Sequence, residues 1–221
     1  MSEKADLHAA SYLVPARYGE AELIEKRSRF IARVWPLDTE EQALARLSET
    51  RERHRDASHN VYAYVIRDGN LMRYSDDGEP GGSSGLPTLN VFRAGEIFDF
   101  CCVVTRWFGG TLLGTGGLAR AYSGAAKLAL EAAGISEMAL WRPYSLECSY
   151  KQYEQLTRLL AESGASQVEA DFGAAVSVCA YIPSHGAPDF EERLRERFAG
   201  AVKANCAADI FMAVRMEKSI S

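Results

Sequence analysis

Two glycine-rich segments, separated by one apolar run of strand length, constrain this chain more than any other feature of its sequence. The first reads YSDDGEPGGSSGLP from Tyr74 to Pro87, and the second reads TRWFGGTLLGTGGLARAY from Thr105 to Tyr122. Ten of the 18 glycines lie between Tyr74 and Tyr122. Such a density indicates backbone that turns with positive φ or closely approaches other groups. The sequence therefore predicts a site built largely from backbone, flanking a central strand at Phe98–Trp107.

The bulk composition is that of a soluble globular protein. Of 221 residues, 47% are hydrophobic and 25% are charged, and no apolar run is long enough to span a bilayer. The N-terminal residues do not resemble a secretory signal, so we expect a cytoplasmic protein without a membrane partner. The formal net charge of −5 disfavours a broad, non-specific nucleic-acid binder, and no segment carries a DNA-specific signal. The five cysteines form no CxxC motif, and we expect them to be small buried hydrophobic residues.

Residues 1–140 and 141–221 differ in their predicted elements, and we expect one domain in each range. In the first range, a loosely held lead-in over residues 1–19 precedes a mixture of strands and helices. Trp141-Arg142-Pro143 is interpreted as the boundary. The apolar periodicities that follow it predict the order β-α-β-β-α-β, the split βαβ pattern of ferredoxin-like domains. The predicted fold class is therefore α+β with two domains.

The second glycine-rich segment joins the central strand to a helix and is the predicted anion-binding site. Backbone N–H groups can converge there, the helix dipole adds positive potential, and arginines flank the loop. The predicted ligand-binding residues are Arg106, Gly109, Gly110, Gly114, Gly116, Gly117 and Arg120. A tight loop that needs glycine only for steric reasons is an equally weighted alternative. The GTGGLA string resembles a dinucleotide fingerprint, but no following strand supplies a ribose-binding acid, so we reject a dinucleotide site.

The first glycine-rich segment carries three carboxylates within four residues: Asp76, Asp77 and Glu79. This acidic cluster is a candidate divalent-metal or general acid–base site. The favoured interpretation is a polar turn, because Asp, Gly and Pro suit turns and no second cluster completes a ligand set. The acids can also cap the nearby helix or bind Arg106 or Arg120. The sequence thus predicts no metal, no cofactor and no catalytic residue.

Two basic groups lie outside the glycine-rich segments. A short basic corner between two predicted strands consists of Lys26, Arg27 and Arg29, and it is a candidate extension of the anion-binding surface. The helix predicted from Glu40 to His54 carries basic residues on its outer face and at its end: Arg46, Arg51, Arg53 and Arg55. Because cations are favourable at helix C-termini, we interpret this second group as a solvated helix end rather than an RNA contact.

Three strings resemble the signature of the IMPACT/YigZ family: RSRFIA from Arg27 to Ala32, YSDDGEPGGSSGLP, and VVTRWFGGTLLGTGGLARAYS from Val103 to Ser123. The resemblance covers about residues 15–135, and residues 141–218 resemble the small domain that follows in bacterial YigZ-type members. It implies an N-terminal domain folded like the second domain of a small-subunit ribosomal protein. It implies a C-terminal domain similar to domain V of elongation factor G. It also implies a link to translation or RNA, with no catalytic residue.

These observations leave three functional hypotheses. The leading one is a non-enzymatic, translation-associated regulator that binds a ribosome, an RNA or a protein partner through the glycine-rich surface. The second is an enzyme with a phosphate ligand, such as a small-molecule kinase, that uses the SDDGEPGGSSG loop with Asp76 or Asp77 as metal ligand or base. The third is a protein–protein interaction module that docks through the ferredoxin-like domain.

Overall fold

The computed structural model describes residues 11–215, which divide into two compact units, Tyr12–Glu137 and Met138–Val214. The strands up to the second glycine-rich segment are β1 (Tyr12–Pro15), β2 (Gly19–Glu25), β3 (Ser28–Pro36), β4 (His59–Ile66), β5 (Leu71–Ser75) and β6 (Phe100–Trp107). Five of them form an antiparallel sheet in the order β2-β3-β6-β4-β5. The domain ranges 1–140 and 141–221 stay a prediction.

Helices cover both faces of this sheet. They are α1 (Glu40–Arg53), α2 (Gly85–Ala94) and α3 (Thr115–Ala133). The larger core lies between the sheet and the pair α2 and α3, where Phe30, Phe92 and Tyr122 are fully buried. A smaller cluster, including Leu47 and Tyr64, lies under α1 on the opposite face. The predicted central strand is confirmed as β6, which is apolar because both of its faces are covered.

β2 passes so close to α3 that only glycine fits at one crossing point. A Cβ atom on Gly19 would lie 2.3 Å from the Ala129 carbonyl oxygen and 2.4 Å from the Ala133 nitrogen. Both neighbours are backbone atoms of a helix, which cannot move aside by a side-chain rotation. Residue 19 therefore fixes the distance between the edge strand and the long helix.

Residues 1–10 of the predicted lead-in lie outside the described residues, and the prediction is wrong for residues 12–15, which form β1. The Leu13 carbonyl accepts a hydrogen bond from the Phe98 N–H at 2.8 Å, and the Tyr12 hydroxyl donates to Asp99 at 2.6 Å. The partners lie more than 80 positions along the chain, so local sequence could not reveal this strand.

The second unit has the predicted β-α-β-β-α-β order with one additional strand after its second helix, and the predicted fold class, α+β with two domains, is confirmed. Its elements are β7 (Ile135–Cys148), α4 (Tyr150–Glu162), β8 (Ser166–Phe172), β9 (Val176–Pro183), α5 (Ala187–Phe198), β10 (Lys203–Cys206) and β11 (Ile210–Arg215). β7 pairs with β9 on one side and β10 on the other, and β8 pairs with β9. Both helices pack on one face over a core that includes Leu156, Phe190 and Ile182.

Regular secondary structure is not interrupted at the predicted boundary Trp141-Arg142-Pro143, because β7 continues through these residues. Proline supplies no N–H group to a sheet, yet its carbonyl can still accept a hydrogen bond. The Pro143 carbonyl accepts from the Ala207 N–H at 3.1 Å, and Pro143 stays in register with Tyr181 of β9.

The prediction that all cysteines are buried is wrong for Cys179 and Cys206, which are exposed and free. Side chains alternate along β9, where Val178 and Ala180 are buried under the helices. Cys179 lies between them and therefore faces away from the core. The other three cysteines are buried, as predicted. Within residues 11–215, no helix is long and apolar enough to cross a membrane.

Gly19→Ala is expected to lower the free energy of unfolding by about 1–3 kcal/mol, because the added methyl group overpacks the β2–α3 crossing. Gly124→Ala, measured in parallel by urea unfolding, is the matched control. A Cβ on Gly124 would lie 3.6 Å from a Leu23 methyl group, an ordinary contact. That helix-interior change should be neutral or stabilising. Equal effects of the two substitutions would contradict the close crossing.

Candidate functional site

The two glycine-rich segments are joined by a buried ion pair. Arg106, near the end of β6, donates from Nη1 to Oε1 of Glu79 at 2.6 Å. The two side chains are only 5% and 4% exposed. The Tyr122 hydroxyl on α3 donates to the same carboxylate oxygen at 2.7 Å, and Arg106 Nη2 donates to Ser28 Oγ at 3.2 Å. Glu79 therefore ties the first segment to β6 and α3, and Arg106 extends the network to the start of β3.

Aromatic rings enclose this network. The Arg106 guanidinium lies 5.4 Å from the ring centroid of Phe30 and 5.5 Å from that of Phe108. Burial, reinforced by the neighbouring Glu79 carboxylate, raises the pKa of Tyr122 far above its ordinary value. Tyr122 therefore remains a neutral hydrogen-bond donor throughout the physiological pH range. Ser28 and Tyr122 were not predicted as members of the site, and Tyr122 carries only the signal of an inward-facing helical position.

Asp76 caps the N-terminus of α2. Its Oδ1 accepts hydrogen bonds from the Ser84 N–H at 3.0 Å, the Ser84 hydroxyl at 2.6 Å and the Gly85 N–H at 2.8 Å. Its Oδ2 accepts from the Gly82 N–H at 2.8 Å. Burial raises the pKa of Asp76, but these hydrogen bonds outweigh that effect and hold the pKa below its ordinary value of 3.8. The carboxylate thus organises the whole GGSSG turn.

Asp77 points away from Asp76 and ties α1 to β4. Its Oδ1 accepts from Arg51 Nη2 at 2.6 Å, and its Oδ2 accepts from the Asn60 N–H at 2.7 Å. Its carbonyl accepts from His59 Nδ1 at 2.8 Å. Each carboxylate of the acidic cluster therefore has its own protein donors. In the part of the chain that the structure describes, no group of three or more His, Cys, Asp and Glu side chains can hold a metal ion.

The basic corner is a two-residue turn between β2 and β3 that touches the second glycine-rich segment. Lys26 and Arg27 have φ of 44° and 69°, the left-handed pair typical of tight hairpins. A Cβ on Gly109 would lie 2.0 Å from the Arg27 carbonyl carbon, so only glycine fits against this turn. The Gly109 N–H donates to Ser28 Oγ at 3.2 Å. The structure therefore brings the predicted basic corner and the predicted anion-binding loop together.

The three basic side chains of this corner differ in their surroundings. Arg29 pairs with Glu22 at 2.8 Å, and its guanidinium lies 5.3 Å from the Trp107 ring centroid. Lys26 and Arg27 are exposed, and neither makes an ion pair within residues 11–215. Their charges are therefore available to a partner, whereas that of Arg29 is largely neutralised.

The far end of the loop leads into α3. Gly114, with φ of 71°, precedes the helix without a side-chain cap, and no acidic residue occupies the first turn. Arg120 is exposed and has no ion pair among the described residues, and its Nη1 lies 3.6 Å from the position of a Cβ on Gly116. Gly110 lies in the loop, whereas Gly116 and Gly117 lie in the first turn of α3, and Leu112 at the loop tip is 83% exposed. Arg106 lies beneath this surface, while Arg120 lies on it.

Asp76→Asn is expected to lower the free energy of unfolding by about 1–3 kcal/mol at neutral pH, because an amide cannot accept all four hydrogen bonds. The folded-state pKa is depressed, so the carboxylate stabilises the fold above the ordinary value of 3.8. That stabilisation is lost as the pH falls through the folded-state pKa. The difference between the free energies of unfolding of wild type and Asp76→Asn, measured with urea, should therefore become smaller in acid. Asp68→Asn, in an exposed turn, should have the same free energy of unfolding as wild type. A difference for Asp76→Asn that does not change with pH would contradict the role of the Asp76 carboxylate as the cap of α2.

Glu79→Ala is expected to lower the free energy of unfolding by about 3–5 kcal/mol, because it leaves the Arg106 guanidinium buried and unpaired. Glu131→Ala, which breaks an exposed pair with Lys127 at 4.0 Å, should cost about 0.5 kcal/mol or less. The double variant Glu79→Leu with Arg106→Met removes both charges and should recover much of the loss. A double variant less stable than Glu79→Ala would contradict the pairing.

Two family models match this chain, one in the first unit and one in the second. A family model described as the Impact N-terminal domain matches residues 26–130, and one described as a domain of unknown function (DUF1949) matches residues 146–201. IMPACT family member YvyE of Bacillus subtilis is 33% identical over 187 residues, covering 84% of this chain and 86% of its own. IMPACT family member YigZ of Escherichia coli is 32% identical over 198 residues, covering 87% and 96%.

A solved structure described only as a hypothetical protein has 31% identity and a TM-score of 0.56, covering 88% of this chain and 96% of its own. The YSDDGEPGGSSGLP and TRWFGGTLLGTGG strings, which supply Glu79 and Arg106 of the buried network, lie within the matched N-terminal region. With matches to both domain models and to relatives along most of its length, this chain belongs to the IMPACT family.

Proposed function

We propose that this protein is a non-enzymatic, translation-associated regulator that binds a ribosome, an RNA or an acidic protein partner. The contact surface is the loop–hairpin surface, which we define as Lys26, Arg27, residues 109–117 and Arg120. Membership of the IMPACT family supports the link to translation that the sequence resemblance implies. A cytoplasmic location is part of the same proposal.

The observation that carries this proposal is the set of unpaired cations on one continuous loop and hairpin. The other arginines of the β2–β3 hairpin, and most of those on α1, pair with carboxylates, as Arg29 and Arg51 do. Lys26, Arg27 and Arg120 are exposed without an ion pair in the described range 11–215. Cations that the fold leaves unneutralised are suited to a phosphate backbone or an acidic surface.

The start of α3 adds backbone donors to this surface. The first intrahelical hydrogen bond runs from the Leu118 N–H to the Gly114 carbonyl at 2.9 Å. The N–H groups of the preceding turn have no intrahelical acceptor, and no side chain caps them. With the positive end of the helix dipole, they favour an anion beside Arg120.

Arg106 has a supporting role in this proposal. Only 4% of its surface is exposed, so it contacts Glu79 and Ser28 rather than a partner. By fixing Ser28, it also fixes the acceptor of the Gly109 N–H. The predicted residue Arg106 therefore maintains the shape of the surface, and Arg27 and Arg120 supply its charge.

The two alternative hypotheses lack a comparable observation. A kinase-like use of the SDDGEPGGSSG loop requires Asp76 or Asp77 to bind metal or to act as a base. Both oxygens of each carboxylate already accept hydrogen bonds from the protein, and releasing them would unfold the turn. The interaction-module hypothesis places the contact on the second unit. There, Arg142 of β7 pairs with Asp209 and Arg193 of α5 pairs with Glu162, so these charges are already neutralised within the protein.

The test is a charge-reversal pair, Arg27→Glu with Arg120→Glu. Wild type should co-sediment with ribosomes or bind RNA at low salt, and the variant should bind at least ~10-fold more weakly, because phosphate contacts dominate such affinity. The matched control is Arg73→Glu with Arg93→Glu, which makes the same change in net charge at two exposed residues elsewhere on the first unit.

Three results would count against the proposal. If wild type binds neither ribosomes nor RNA at low salt, the proposal of a ribosome or RNA partner is wrong. Equal losses in the two charge-reversal variants would show that net charge, not this surface, is responsible. Binding by wild type that does not weaken as salt rises would show that phosphate contacts do not carry it.

A further inference from the structure

A second candidate site lies on the face of the first unit opposite α2 and α3. Helix α1 packs there over β4 and β6, and β2 and β3 extend beyond it. Between α1 and β3, beside the residue that precedes β2, is a cavity of about 240 Å³. Its lining includes two aromatic residues, three arginines and one histidine: Tyr18, Trp35, Arg33, Arg46, Arg53 and His54. None of these residues belongs to the loop–hairpin surface.

The helix side of the cavity carries more positive than negative charge. Arg46 and Arg53 lie on one face of α1, two turns apart, with Glu49 between them. Arg46 Nη1 donates to Glu49 Oε2 at 3.1 Å, and Arg53 Nη2 donates to Glu49 Oε1 at 2.9 Å. A single carboxylate therefore faces two guanidinium groups, which leaves one positive charge to be neutralised.

The floor of the cavity is a rigid polar group on the sheet. Arg33 is 6% exposed and donates from Nε to Glu20 at 2.7 Å and from Nη1 to Thr105 at 3.2 Å. Glu20 also accepts a hydrogen bond from the Tyr18 hydroxyl at 2.7 Å. Across the cavity, three arginines thus face two carboxylates, Glu20 and Glu49. The site as a whole favours an anion.

The strand side of the cavity is aromatic. The rings of Tyr18 and Trp35 lie 5.5 Å apart between centroids and are tilted by 41°. The Tyr18 hydroxyl is held by Glu20, so its ring has a fixed position at the mouth of the cavity. Aromatic side chains beside guanidinium groups are the combination with which proteins stack a base and bind its phosphate.

His54 supplies an unsatisfied polar atom next to this space. Burial, together with the nearby Arg33 charge, lowers the pKa of His54, so its imidazole is neutral at physiological pH. Its Nε2 is buried and has no hydrogen-bond partner in the range that the structure describes. Because its imidazole is neutral, His54 adds no charge to the cavity, and the positive charge comes from the arginines.

We propose that this cavity binds a single nucleotide unit, with the base against Tyr18 and Trp35 and the phosphate on Arg46 and Arg53. Its volume of about 240 Å³ is just below the usual range for ligand pockets, which excludes a dinucleotide cofactor. The nucleotide is either a free mononucleotide or one residue of a single-stranded RNA. This assignment is independent of the loop–hairpin surface and does not rest on the proposed function.

The experiment is a calorimetric titration of the full chain with four probes: AMP, UMP, inorganic phosphate and a hexamer of uridine nucleotides. The site variant is Arg46→Ala with Arg53→Ala. Its matched control is Arg55→Ala with Arg93→Ala, which removes two exposed arginines that do not line the cavity. Circular dichroism establishes that each variant is folded, and Tyr18→Ala, at a residue that is 46% exposed, tests the stacking contact.

Wild type and the control should bind a nucleotide probe with one site, and the arginine variant should bind at least ~10-fold more weakly. Tyr18→Ala should weaken nucleotide binding and leave phosphate binding unchanged. Saturable binding of AMP or UMP identifies a free mononucleotide, and binding of the hexamer alone identifies RNA. Arg27→Glu with Arg120→Glu should keep its mononucleotide affinity, which separates this result from the test of the proposed function.

Two sets of results would overturn the inference. If wild type binds none of the nucleotide probes, or if the arginine variant binds them as tightly as wild type does, the cavity is not a nucleotide site. If inorganic phosphate binds as tightly as the nucleotides and Tyr18→Ala changes nothing, the aromatic half of the assignment is wrong.

Discussion

The first unit is organised around one buried ion pair, Glu79 with Arg106. A charged pair with so little exposure is costly to desolvate, and its partners must be placed accurately for the attraction to compensate. That requirement is met only when the first glycine-rich segment, the central strand, α3 and the β2–β3 hairpin are all in position. The pair therefore specifies a single arrangement of these elements, although a well-packed apolar substitute could be equally stable.

The sequence was sufficient to predict elements whose signal is local. Apolar periodicity located β6 and the helices, and the order of elements in the second unit was predictable from the same signal. The density of glycine located the segments that need special backbone. The sequence could not show which carboxylate pairs with which arginine, because three carboxylates and two arginines allow several ion pairs between positions that are distant in the chain. Tyr122 shows the same limit, since helical spacing places it inward without revealing the carboxylate that its hydroxyl meets.

For the arginines in and after α1, the sequence predicts the helix face on which each lies but not the groups that lie opposite it. Helical periodicity places Arg46 and Arg53 on one face, and it also places Arg51 on another. The first two meet the rim of a cavity, whereas Arg51 pairs with Asp77 from the first glycine-rich segment. The interpretation as a solvated helix end describes Arg55, whose side chain is 75% exposed. What lies opposite the other arginines depends on how far β2 and β3 extend past the helix, which is a tertiary property.

The contact between Gly109 and the Arg27–Ser28 peptide has a mechanical consequence. No atom can be inserted between the two backbones, and a hydrogen bond to Ser28 Oγ joins them as well. The hairpin tip and the Gly109 end of the loop therefore cannot shift independently, and both are anchored to the buried interior. A partner that docks on them meets a preorganised surface, so little ordering entropy is lost on association. Flexibility, which glycine-rich sequence usually suggests, is here replaced by rigidity.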